Sequence, residues 1–287
     1  MNYDYRIGGL WVRFEIPWSL GITTESEPFL FVPETGDIPD LTFSFSNVDS
    51  LPQPEQGGTW NIDAYYCTDD QGVKIWHTPV RSRPPYCCVV WSKDSADRVE
   101  CLCVQGQEHQ IAYTKNLIDL LSLESFLLHF DGLILHSSLV NWDGKGILFS
   151  APCGTGKSTQ ARLWEQYMNS STLNGDRAGI RRDDGVWTAW GLPFAGSSGI
   201  YRNESVPIRA IVLLGQSKEN TLSKVRPMDA FKRLLPECSA RRWDAGFMDQ
   251  LIHILFAMIS DVPVYQLDCR PDREAVELLR DTLLEDV

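Results

Sequence analysis

Eight consecutive residues, Ala151-Pro152-Cys153-Gly154-Thr155-Gly156-Lys157-Ser158, combine the side chains and backbone freedom needed to hold a phosphate group. They match the P-loop spacing, with Ala151 where the first glycine usually stands. Gly154 and Gly156 let the backbone turn sharply and aim its N–H groups at anionic oxygens. Lys157 supplies a compact positive charge for the β- and γ-phosphates of a nucleotide, and the Ser158 hydroxyl suits the coordination sphere of Mg²⁺. Thr159 continues the motif into a helical pattern, so the positive end of a helix dipole points at the same anion. An apolar strand, Gly146 to Ser150, leads into the loop, which is the context the motif requires. By average composition the bare pattern arises in roughly 2% of chains of this length, and the flanking strand and helix lower that several-fold.

The elements around the loop decide which other side chains reach it. Asp143-Gly144 is a two-residue hairpin signal between SLVNW and the P-loop strand. Counting outward from that turn pairs Trp142 with Lys145 and Leu139 with Leu148, which leaves His136 opposite Ala151. A lone histidine at a strand end is ordinarily structural. Here it has a second reading as a phosphate-site residue, and a slip of one position would turn it away. The chemistry also calls for an acid. A Walker B strand would end in Asp, but the best apolar run, Ile211 to Gly215, is followed by Gln216. Asp176, in TLNGD, is the next candidate. It would hold Mg²⁺, directly or through water, or accept a hydroxyl proton, or else simply end an Asn-Gly turn. Asp183 and Asp184 lie in RRDDG, which reads as an exposed hairpin turn. The Gly- and Ser-rich stretch 191–208 is either a loop closing over phosphate, with Arg202 to neutralise charge, or a surface connection. Arg209, Arg226, Arg241 and Arg242 are further cations, each read singly as solvated.

Bulk properties exclude several classes. A net charge of -12 over 287 residues argues against a nucleic-acid partner. No apolar run approaches the ~20 residues of a membrane span; the longest, LIHILFAMI, reads as a buried helix. The start MNYDYRIGGLWVRFEIP has neither the basic nor the apolar region of a signal peptide, so a cytoplasmic protein is expected. The eight cysteines show no zinc spacing, and the runs CCVVW and VECLCV fit buried strand thiols.

Patterning divides the chain into a β-rich region, 1–113, and an α/β region, 114–287. The first shows period-two strands (YRIGGLWVRFEI, PFLFV, LTFSFS, GTWNIDAYYC, VKIWHT, YCCVVWS, RVECLCV, HQIAYT) separated by turn formers, as in an antiparallel sheet or sandwich. The second opens with a helix over 115–130, with Thr114 as its N-cap. It continues with strands at LILH, SLVNW, GILFS, TLNG, AGIRR, VWTAW, IRAIVLL and VYQLD. Helices follow the P-loop and cover about 228–235, 240–260 and 272–284.

The run LILHSSLVNWDGKGILFSAPCGTGKSTQARLW resembles the core of HPr kinase/phosphorylase and its relatives, which share a nucleotide-binding fold with ATP-dependent phosphoenolpyruvate carboxykinases. The likeness covers roughly residues 130–215. It implies an α/β kinase core with a P-loop on a mixed sheet, preceded by a β-rich domain, and homo-oligomers as in relatives. It also implies ATP and Mg²⁺ as cofactors, His136 and Asp176 as active-site residues, and Lys157 and Ser158 as phosphate and metal ligands. Phosphate would pass to a hydroxyl, most naturally a serine of a peptide or protein. Several members of the wider group occur beside genes for modified peptides, including lasso peptides. Two departures stand out. The family commonly carries paired acids where this chain has Asp176-Arg177, and Thr159 stands where HPr enzymes often carry Glu. A nucleotide-binding partner that transfers nothing, and a kinase for a small hydroxylated metabolite, are the alternative readings.

Overall fold

Residues 1–287 other than 55, 62, 195, 286 and 287 are described by the structure, a computed structural model. The chain divides into two units, Met1–Leu123 and Glu124–Val287. The expected strand GTWNIDAYYC and loop 191–208 each contain one position outside the described residues, Ile62 and Ala195.

Alternating apolar residues build a single eight-stranded sheet in the first unit. Its strands are β1 (Asn2–Ile7), β2 (Leu10–Glu15), β3 (Leu41–Val48), β4 (Thr59–Asn61), β5 (Ala64–Asp69), β6 (Gly72–His77), β7 (Cys87–Ser92) and β8 (Arg98–Val104). The order is β1-β2-β3-β8-β7-β6-β5-β4. The sheet is mixed, not antiparallel as expected: β2 runs parallel to β3, and β3 parallel to β8. The connections into β3 and β8 are long enough to bring the chain back to the end where it started, which parallel pairing requires. In its core Phe14 stacks on Phe43 and Tyr5 meets Phe14 edge-on.

Two expected strands are absent from that sheet. PFLFV forms a 3₁₀ turn at Glu27–Phe29 started by Pro28, and HQIAYT forms one at Glu108–Ile111. The helix expected over 115–130 is two helices, α1 (Thr114–Leu121) and α2 (Leu123–His129), because Ser122, at φ 52°, leaves the helical backbone between them. Thr114 is not the cap. Tyr113 occupies that position, with its backbone N–H donating to the Asn116 side chain, while the Thr114 hydroxyl is buried 2.6 Å from Ser26 Oγ.

In the second unit the strands are β9 (Leu133–Trp142), β10 (Lys145–Ser150), β11 (Ser171–Asn174), β12 (Arg177–Asp183), β13 (Val186–Gly191), β14 (Ser205–Gln216), β15 (Thr221–Lys224) and β16 (Val264–Cys269). LILH and SLVNW are thus one strand, β9. The helices are α3 (Lys157–Met168), α4 (Pro227–Leu234), α5 (Ala245–Asp261) and α6 (Arg273–Glu285). The helix expected from 240 begins only at Ala245, where the Asp244 carboxylate accepts from Phe247 N–H and caps it.

This sheet is also mixed, in the order β10-β9-β12-β13-β14-β16-β15. β14 pairs with β13 through its first residues and, further on, runs parallel to both β10 and β16. β9 likewise pairs with β10 along one edge and with β11 and β12 along the other. The two longest strands therefore serve both parts of the sheet. One face carries Leu135, Leu148, Ile180 and Leu213 against α4 and α5. The other carries Phe149, Val212 and Leu267 against α3 and α6.

Trp164 fastens α3, and with it the P-loop, to that second face. It is fully buried, with Trp142 and Phe149 edge-on and tilted at 5.2 and 6.2 Å. Trp164→Ala removes a large side chain from a packed site and is expected to cost about 3–5 kcal/mol. Urea unfolding followed by circular dichroism reads it; a loss below ~1 kcal/mol would mean that α3 is held elsewhere.

Candidate active site

Strands β10, β14 and β16 are parallel, so their carboxyl ends lie at one edge of the sheet, where ligands of α/β folds bind. β10 delivers the P-loop to that edge. Gly154 and Gly156 take φ of 79° and 122°, and nothing lies within 4 Å of where a Cβ would stand on either. The loop is thus an open cradle of backbone, and α3 starts directly from it at Lys157. Lys157 is 8% exposed and folds back on its own loop, donating from Nζ to Ala151 O at 2.7 Å and Pro152 O at 3.4 Å. Burial pulls its amine below the usual lysine value, and the charges of Glu237, Cys153 and Asp176 partly oppose that shift. Cys153 is exposed, and every other cysteine is buried.

The hairpin register counted from Asp143-Gly144 is the one observed. Trp142 pairs with Lys145, Leu139 with Leu148, and Ser137 with Ser150. His136, next along β9, lies at the loop entrance, and Ser150 Oγ donates to its carbonyl at 3.0 Å. Asp176 reaches the same place from β11, which lies on the other edge of β9 from β10. The backbone around it is tightly held. Ser137 N–H donates to Asp176 O, Ser138 Oγ to Gly175 O, and the Asn174 carboxamide oxygen accepts from both Asp176 and Arg177 N–H. His136 Nε2 stands 3.7 Å from Asp176 Oδ1, and Arg177 Nε 3.5 Å from Asp176 Oδ2.

The stretch after β13 closes on this acid. Asn174 Nδ2 donates to the carbonyls of Leu192 and Phe194, and Arg177 lies over the Phe194 ring at 5.2 Å. Gly196, at φ 52°, packs so tightly that a Cβ there would be 2.6 Å from Asp176 Cβ. β14 begins at Ser205, earlier than the 191–208 loop allowed. Arg202 points to Glu204 at 4.0 Å. Of the other cations, Arg241 is buried beside Glu124 and Phe247, correcting its reading as solvated. Arg209 bonds Leu283 O and lies over Trp142, while Arg226 pairs with Asp229. Asp183 ends β12, paired to Val186, and Asp184 lies in the β12–β13 turn itself.

Three groups at the site carried no chemical role in the sequence. Glu237, in a 3₁₀ turn at Leu235–Glu237, accepts from or shares a proton with His136 Nδ1 at 2.9 Å. Nothing local signals that contact, which spans 101 residues. Asn174 was legible only as a turn former. Gln216, where a Walker B acid would stand, places Nε2 3.4 Å from the carbonyls of Gly154 and Thr155. Clefts lie on both sides of the P-loop helix. One of about 390 Å³ is lined by Thr155, Thr159, Gln216 and Pro271 among others. One of about 280 Å³ is lined by Ser158, Arg162, Gly175 and Ser198 among others.

These residues fit a nucleotide phosphate: an open backbone cradle, a helix N-terminus and a lysine lie together. Among the described residues no cluster of three or more His, Cys, Asp or Glu side chains is placed to bind a metal alone. Ser158 and Asp176 would hold Mg²⁺ only as a few ligands completed by water and phosphate, which is that ion's usual manner. No helix among the described residues is long and apolar enough to cross a membrane.

Comparison with known proteins adds a family. The family model described as SynChlorMet cassette protein ScmC matches residues 104–270. No curated protein matches the chain. The solved Hpr(Ser) kinase/phosphatase from Coxiella burnetii is similar at 12% identity and a TM-score of 0.31, over 53% of this chain and 88% of that one.

Because burial disfavours the charged amine, Lys157 should titrate below 10.5 in the free protein. Its folded value lies below its unfolded one, so its contribution to stability improves as pH rises through that window. A bound phosphate anion reverses the shift. Lysine-ε NMR titrations with and without ADP read this directly, and a Lys157 value at or above 10.5 in the free protein would contradict it.

Proposed function

This chain belongs to the family of the SynChlorMet cassette protein ScmC, and we propose that it is an ATP- and Mg²⁺-dependent kinase acting on a hydroxyl. The observation that carries this reading is the convergence of Lys157, His136 and Asp176 at the mouth of the P-loop. The fold assigned with it is the P-loop core of the HPr-kinase and phosphoenolpyruvate-carboxykinase type.

A bound nucleotide supplies a transferable phosphoryl group, whose charge Mg²⁺ neutralises. Each residue then has a task. The amides from Cys153 to Ser158 and the α3 N-terminus would hold the phosphates, and Ser158 and Asp176 would be the metal ligands. Lys157, which donates to the carbonyls of Ala151 and Pro152, would exchange them for phosphate oxygen. Asp176 accepts the proton of the attacking hydroxyl, with the His136 ring beside it. Gly196 packs against the Asp176 side chain and leaves about a third of it open to an incoming hydroxyl. The acceptor proposed is a serine of a peptide or protein, in keeping with a cassette protein, and the site proposed is a cytoplasmic one.

A second reading, a nucleotide-binding partner that transfers nothing, draws on one observation: Arg177 Nε lies 3.5 Å from Asp176. Two substitutions separate the readings. Lys157→Ala should abolish both binding of a fluorescent ATP analogue and phosphate transfer. Asp176→Asn should keep binding within a few-fold and lower transfer from γ-labelled ATP by about 10²–10⁴. Full transfer by Asp176→Asn would sink the kinase assignment of that residue. Binding without any transfer by the unaltered protein, over a panel of serine peptides and free serine, would favour the partner role.

A further inference from the structure

We propose that Glu237 is a positioning residue of this site, fixing the His136 ring so that its far nitrogen faces Asp176; this rests on the kinase reading above. Two distances decide which partner controls the ring. The contact from His136 Nδ1 to Glu237 Oε2 is 2.9 Å, a full hydrogen bond. The approach of Nε2 to Asp176 Oδ1 is 3.7 Å, too long to be one. The ring therefore takes its orientation from Glu237 and presents it to Asp176. A carboxylate only accepts, so the shared proton is the imidazole's own, carried on Nδ1. Nε2 is left as the atom at the reacting side.

The backbone gives Glu237 little freedom to move away. The residues that follow its 3₁₀ turn are bound to β9 just before His136. Cys238 forms a bridge to Leu135, and Ser239 N–H donates to Ile134 O at 3.0 Å. Arg242 donates to Pro236 O at 3.1 Å from the other side. The Cys238 side chain is buried. On β9 itself, Ser150 Oγ holds the His136 carbonyl. Donor and acceptor thus sit on two pieces of backbone tied to each other, and the Glu237 side chain is only 14% exposed. Glu237 also acts on Lys157, where its negative charge is the largest of the influences that oppose the effect of burial. The Glu237 carboxylate thus bonds the histidine and also weighs electrostatically on the P-loop lysine.

The role can be told from simple structural support by reading the ring and the turnover together in the full-length protein. Glu237→Ala, Glu237→Gln and Glu237→Asp would each be compared with the unaltered chain. The ring nitrogens of His136 are read by ¹⁵N NMR, assigned among the five histidines by the signal lost in His136→Gln. The unaltered chain and Glu237→Gln, whose amide oxygen still accepts, should show a proton on Nδ1. Glu237→Ala should show an averaged ring. With γ-labelled ATP and Mg²⁺, Glu237→Ala should lower kcat about 10- to 100-fold with KM for ATP little changed. Glu237→Gln should recover most of that loss, and Glu237→Ala should add nothing in a His136→Gln background. An unchanged His136 spectrum in Glu237→Ala, or an equal loss of activity with His136 already replaced, would overturn the proposal. If the unaltered chain turns over no nucleotide, the kinase reading fails, and the ring spectra alone still decide whether Glu237 orients His136.

Discussion

The pairing of β9 with β10 across the Asp143-Gly144 turn is the constraint on which the rest of the site depends. A two-residue turn leaves no slack: Trp142 must face Lys145, and every pair beyond follows. Because side chains alternate with period two, that register alone decides whether His136 looks towards the P-loop or away from it. The buried alternation of Leu139 and Leu148 on one face, and Val140 and Ile147 on the other, resists a slip, since a shift by one residue would exchange the two cores. The stability of two apolar layers thus holds one histidine in place.

Asp176 arrives by a different route. The chain leaves β10 through the loop, crosses in α3 and returns as β11 on the far edge of β9, not beside β10. The acid and the loop are therefore separated by one strand, and His136 belongs to that strand. Asn174 makes the geometry rigid: its side chain bonds the next turn on one side and the 192–194 backbone on the other. Gly196 is needed beside Asp176 because any side chain would collide with it, and its positive φ suits glycine as well. A stretch read from sequence only as small and polar is small because it must approach an acid.

How far residues could be read ahead of the structure follows from the range of their contacts. The P-loop and the hairpin register are local, encoded within about twenty residues by turn chemistry and alternation. Placing Asp176 needed only one strand–helix–strand step. The breaks at Ser122 and before Ala245, and the parallel pairs of the first sheet, depend on distant packing that periodicity does not carry. Glu237 is the extreme case. Its turn follows α4 in an ordinary-looking LLPECS, and its meaning comes wholly from bonds to β9 a hundred residues earlier. Arg241, by contrast, was misplaced because a charge in a loop defaults to solvent, whereas here it packs on Phe247 beside Glu124.

Electrostatically the site is an arrangement of opposites around an open cradle. A buried lysine, held for the moment by its own loop's carbonyls, faces two carboxylates and a histidine. In the proposed function an anion would release Lys157 from the loop and bring its terminal group against Asp176. The most direct measurement is a crystal structure of the chain with Mg²⁺ and a non-hydrolysable ATP analogue. The expected result is phosphates cradled from Cys153 to Ser158, Lys157 Nζ on the terminal phosphate, and an Asp176 oxygen close enough to take the proton of a hydroxyl placed ~3–3.5 Å from the γ-phosphorus. A nucleotide bound elsewhere, or one whose terminal phosphate points away from His136 and Asp176, would contradict it.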